Sequence, residues 1–144
     1  MGLIDDMRRI YNRMSAFTKK YEDGDSVYFS ELLNVPRKDP GGNINLIPLG
    51  KDVHCYKIPS VPNLIGFITI GKEGSKIESH NHPDCWEYIY LNTGKIICNG
   101  ITMSEQTDSH ISLKPGDFHK IDFIEESELV VYFSMNPIAI SAKS

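Results

Sequence analysis

The residues best able to do chemistry lie in two short stretches. The first is Lys76-Ile-Glu-Ser-His80-Asn-His82-Pro-Asp-Cys-Trp-Glu87-Tyr-Ile-Tyr-Leu-Asn92 and the second is Phe118-His119-Lys-Ile-Asp-Phe123. In an extended strand, residues two apart face the same way, so His80 and His82 present their imidazoles to one side. By the same parity Lys76 and Glu78 share that side, with Glu78 either orienting an imidazole or forming a solvated strand end. Pro83-Asp84 favours a turn. Beyond it, Glu87 is in phase with Ile89 and Leu91, and Tyr88 and Tyr90 take the opposite face. If the apolar face points inward, Glu87 brings a carboxylate to the two histidines. His119 is in phase with Ile121 and Phe123 and is expected to supply a third imidazole. A set of three imidazoles and one carboxylate suits Fe, Mn, Ni or Zn and leaves positions open for water or a ligand.

These residues need short strands to hold them, and the second half of the chain is patterned that way. Strands are expected at 53–58, 64–70, 76–82, 87–92, 95–98, 101–103, 111–113, 118–124 and 128–135, each bounded by turn residues. Asn99-Gly100 is a two-residue hairpin signal, and Lys114-Pro115-Gly116-Asp117 reads as another turn. Residues 34–50, rich in Pro and Gly, are expected to be loop with at most a short edge strand. Before them, residues 3–22 read as a helix. Leu3, Met7, Ile10, Met14, Phe17 and Tyr21 make a one-sided apolar stripe, Asp5 and Asp6 lie near its start, Lys19 and Lys20 near its end, and Gly24 stops it. The stripe packs either on its own barrel or against another subunit. The chain thus divides into an N-terminal helix and extended loop, 1–50, and a β-barrel, 51–144.

The first stretch carries a recognisable signature. From Gly74 to Gly94 the chain reads Gly, five residues, His80-x-His82, four residues, Glu87, six residues, Gly94. This resembles the first motif of the cupin superfamily at every position. Gly116-Asp117-Phe118-His119 resembles part of the second motif, although Pro115 abuts Gly116 and Phe123 stands where an Asn often closes the pattern. The resemblance covers about residues 53 to 135. It implies an all-β double-stranded β-helix, a jelly-roll-like barrel with the helix added at its N-terminus, often homodimeric, with a metal at the open end held by His80, His82, Glu87 and His119. It implies a metal-dependent enzyme acting on a small molecule at the barrel mouth, most often a dioxygenase-like oxidoreductase, with isomerases, decarboxylases and lyases also in the family. Glu87 would remain a ligand or act as a catalytic base. A non-enzymatic metal- or ligand-sensing regulatory module is the alternative.

Composition narrows the rest. The chain has 144 residues, 40% hydrophobic, and a formal charge of −4, with no basic run to suggest a nucleic acid or an anionic membrane as partner. No apolar stretch is long enough to cross a bilayer, and the charged N-terminus is unlike a signal peptide, so a cytoplasmic location is expected. Three cysteines at no paired spacing argue against a disulfide framework. Cys55 and Cys98 read as buried small hydrophobes. Cys85 lies in the turn between the ligand strands, where it could approach the pocket mouth, but it has no basic neighbour to lower its pKa. Trp86, out of phase with Glu87, is expected to pack outward. His110, a rival fourth ligand, falls in a polar loop, and His54 belongs to a strand start at the rim. Tyr56, Phe67 and Tyr132 are expected in the barrel wall.

Overall fold

The computed structural model describes residues 3–59, 61, 63–106 and 110–138, including the side chains of all these except 3–7, 10 and 11. Strands alternating apolar and polar residues can bury one face only by stacking on a second sheet. That is the arrangement found. One sheet has six strands in the order β1-β2-β3-β10-β5-β8, and the other has four in the order β4-β9-β6-β7. Their ranges are β1 Ile47–Gly50, β2 Val53–Ile58, β3 Leu64–Gly71, β4 Lys76–His80, β5 Trp86–Thr93, β6 Lys95–Cys98, β7 Ile101–Ser104, β8 His110–Leu113, β9 His119–Phe123 and β10 Ser127–Ser134. All strand pairings are antiparallel. The expected all-β jelly-roll-like architecture with an N-terminal helix is therefore present. Inward residues of both sheets, among them Phe67, Ile89, Ile96, Ile121, Phe123 and Leu129, share one core.

The helix α1 runs from Leu3 to Asp23, and its last turn ends in bonds from Gly24 N to Tyr21 O and from Asp25 N to Lys20 O. Phe17 and Tyr21 of the apolar stripe are buried in the barrel core, and Met14 packs against it. Leu3, Met7 and Ile10 lie outside the described side chains. A second helix, α2 (Phe29–Leu33), buries Phe29 and Leu32. Within the Pro- and Gly-rich segment, β1 joins the sheet edge through β2, so this stretch contributes Ile47 and Leu49 to the core. The short edge strand allowed for there exists.

The expected strand 76–82 is shorter and less regular than parity requires. β4 ends at His80, and its register against β9 shifts between Ile77, opposite Ile121, and His80, opposite His119. Three steps along β4 thus match two along β9. This bulge breaks the parity that put Lys76 and Glu78 on the histidine face: Ile77 points inward with His80, while Lys76 and Glu78 pair with each other on the surface at 2.9 Å. Bulges of this kind re-aim side chains beside functional sites.

The two glycines that frame the His–His–Glu motif differ in what surrounds them. Both have positive φ, +82° at Gly74 and +97° at Gly94, but a Cβ at Gly74 would meet nothing within 4 Å, whereas one at Gly94 would collide with Ser127 Oγ and the Glu126 carbonyl. Gly74→Ala should therefore cost only backbone strain, ~1 kcal/mol, and Gly94→Ala about 3 kcal/mol or more. Urea unfolding of the two variants checks this, and equal midpoints would contradict it.

Candidate metal centre

His80 and His119 sit opposite each other across the β4–β9 pairing, His82 lies just past the end of β4, and Glu87 comes from β5 in the other sheet. Each provides one ligand atom, and these atoms lie within 4.8 Å of one another. All four side chains are buried. Of the described residues, this is the His/Cys/Asp/Glu group that could hold a metal ion.

The histidines are aimed by the backbone. His80 Nδ1 lies 2.8 Å from the Glu78 carbonyl, His82 Nδ1 2.9 Å from the Val27 carbonyl, and His119 Nδ1 3.3 Å from the Asp117 carbonyl. A carbonyl can only accept, so each ring carries a proton on Nδ1 and, when neutral, turns the lone pair of Nε2 toward the cluster. Among the described residues, the buried side-chain polar atoms without a hydrogen-bond partner are His82 Nε2, Glu87 Oε1 and His119 Nε2. Glu87 Oε1 approaches these nitrogens at 3.3 Å (His82) and 2.8 Å (His119), close enough for strong attraction but not aligned as hydrogen bonds. Orphaned buried polar atoms are costly and uncommon in native proteins. Three of them converging on one point is the pattern a cation relieves, and the donor set fits a first-row divalent ion.

The electrostatics agree. Burial, reinforced by His119 and His82, drives the His80 pKa down to about 3, so this imidazole is neutral and ready to donate its lone pair. Burial alone would raise the Glu87 pKa, but His119 and then His82 hold it well below the usual carboxylate range. Burial would likewise lower the His119 pKa, yet the Glu87 charge raises it above 6.5. A buried phenol, Tyr21, packs edge-on against His80 with ring centroids 4.7 Å apart, and burial followed by Glu87 raises its pKa well above 10.

No protein-family model matches the chain, and no curated protein does. Solved structures do resemble it. KdgF from a Halomonas species superposes with a TM-score of 0.57 at 14% identity, over 65% of this chain and 87% of that one. An RmlC-like cupin from Shewanella frigidimarina gives 0.56 at 14%, over 64% and 84%. An acetylacetone dioxygenase from Acinetobacter johnsonii gives 0.51 at 24%, over 62% and 68%. The chain has the cupin fold.

Within this cupin domain the other marked residues fall away from the cluster. His110 is not in a loop: it opens β8 and stacks, exposed, on Tyr90 at 5.3 Å. His54 is exposed on β2. Cys85 is buried, and its thiol is pushed up to about 12 by burial and then by Asp84 and Glu87, so it is not an activated nucleophile. Trp86 is half-buried outside the cavity, and Phe67 lines it, while Tyr56 and Tyr132 are half-buried on the sheet. The groups that sequence reasoning missed are the carbonyls of Glu78, Val27 and Asp117, because every residue type offers a carbonyl. It also missed the Tyr21 contact, for which a hydroxyl-bearing ring at the end of the helical apolar stripe was the available signal.

Because Glu87 raises the pKa of His119, the metal-free protein keeps a second proton, on His119 Nε2, to higher pH than an ordinary histidine would. Metal uptake needs that Nε2 free and must expel the proton, whereas His80 has none to lose. Proton release on binding zinc should thus be substantial at pH 6.5 and fall as pH rises. Calorimetry in buffers of different ionisation enthalpy measures it, and release that grows with pH would contradict the assignment.

Proposed function

We propose that the protein is a metal-dependent enzyme for small organic molecules, an oxidoreductase of the dioxygenase type. The observation that carries the reading is the convergence of three carbonyl-aimed imidazoles and one ionised carboxylate on a buried point. Iron, manganese, nickel or zinc bound there supplies a Lewis acid and, for the first three, redox capacity. The protein's own part is to hold the ion through His80, His82 and His119. Glu87 either offsets its charge as the fourth ligand or, turned away from the ion, would accept a proton from an acidic carbon or hydroxyl of the substrate. The apolar wall, with Phe67, Ile121 and Phe133 beside His80 and Glu87, excludes water from that proton transfer.

A second reading, a non-enzymatic metal- or ligand-sensing module, is favoured by one feature. The cavity beside the cluster is only about 30 Å³, well below the ~300 Å³ at which ordinary ligand pockets begin.

Elemental analysis after reconstitution with Fe, Mn, Ni and Zn separately, followed by oxygen uptake with β-diketones, thiols and catechols, tests both. β-Diketones enter the panel because an acetylacetone dioxygenase shares the fold. The expected result is one ion per chain and uptake with at least one substrate class. His119→Ala should weaken metal binding ~100-fold or more, since even the groups that merely orient ligands account for 10–100-fold. Stoichiometric metal without oxygen uptake on any substrate would favour the sensing module, and no metal at all would overturn both readings.

A further inference from the structure

The small cavity beside the cluster is closed on one side by the N-terminal segment: Phe17 and Tyr21 of α1 and Leu32 of α2 line it together with His80 and Glu87. At about 30 Å³ it has room for one or two water molecules. Outside it, a surface groove of about 280 Å³ runs between α1 and α2, lined by Arg13, Met14, Phe17, Lys20, Glu31 and Asn34. Phe17 borders both spaces, so its ring forms part of the wall between the groove and the cavity. Tyr21 stands behind it against His80.

The segment carrying these rings is fastened at identifiable points. Lys20 Nζ contacts Glu31 Oε1 at 2.5 Å, tying α1 to α2. Lys57 Nζ reaches the carbonyls of Leu33 at 2.8 Å and Val35 at 3.0 Å, holding the end of α2 on the barrel. Residues 26–29 are bonded to the ligand loop: Val27 N to Asn81 O at 3.0 Å, Ser26 Oγ to Asn81 Oδ1 at 2.7 Å and Phe29 N to Asp84 Oδ1 at 2.9 Å. Before these anchors, Gly24 passes so close to β4 that a Cβ there would sit 2.6 Å from the Ser79 carbonyl. Apart from the Lys20–Glu31 pair these anchors lie after α1, so displacing the helix need not break the bond between Val27 and His82.

We propose that Phe17 is a specificity-determining residue of the centre: with α1 docked, only molecules a few atoms in size reach the cluster, and a ring-sized ligand enters from the α1–α2 groove by displacing the helix. This rests on the metal reading above. Ligands that require displacement bind more weakly in proportion to the rarity of the displaced state.

The test uses the full chain loaded with cobalt(II), whose visible absorption reports ligand exchange, titrated with azide and with imidazole. Phe17→Ala, which joins groove and cavity, should strengthen imidazole binding ~10-fold or more and change azide binding by less than about three-fold. Phe17→Leu, which keeps most of the bulk, should stay near wild type for both. In the wild type, saturating imidazole should also speed amide hydrogen exchange across residues 14–22, a readout that does not depend on any variant folding. Equal imidazole affinity in wild type and Phe17→Ala, or unchanged exchange in α1 on saturation, would overturn the proposal while leaving the metal reading intact. Failure of the wild type to bind cobalt would overturn both.

Discussion

The site depends on three hydrogen bonds from imidazole Nδ1 to main-chain carbonyls. Each bond fixes a tautomer and turns a lone pair toward the same buried point as the Glu87 carboxylate. Without them the imidazoles could rotate and satisfy Nε2 elsewhere. With them, three buried polar atoms face one another without aligned hydrogen bonds, an arrangement less stable in the metal-free chain than full hydrogen bonding would be. A fold that retains such a cost at one point is trading stability for function there.

The rest of the architecture can be understood as holding these carbonyls and rings in place. Glu78 and Asp117 lie two residues before the histidines they orient, so their carbonyls are supplied by the strand ends themselves. Val27 comes from 55 positions away and is positioned by the bonds of residues 26–29 to the ligand loop. The turn before β9 is joined to the same loop by the bond from Gly116 N to His82 O. The N-terminal segment thus takes part in the centre twice, once by orienting His82 and once by limiting the space beside it.

Sequence patterning revealed the strands because each buries one face, and it placed His119 inward because Ile121 and Phe123 share its phase and are buried with it. The spacing of His80, His82 and Glu87 was equally legible. Parity failed on β4, where the bulge between Ile77 and His80 adds a residue that no composition signal announces. Helix α2 was not legible because it has only five residues and its N-cap, Tyr28, makes no side-chain capping bond. The narrowness of the cavity was hidden for another reason. It arises from Phe17 and Tyr21 folding over a site some 60 residues further along, a tertiary contact that a helical stripe leaves open between its own barrel and a partner.

The most direct test of the account is a long-range proton–nitrogen NMR correlation of the histidine rings in the zinc-loaded protein. Of the five histidines, His80, His82 and His119 should each carry the proton on Nδ1 and show an Nε2 resonance shifted by zinc, while His54 and His110 remain unaffected. A proton on Nε2 of any of the three, or ring spectra unchanged by zinc, would contradict it.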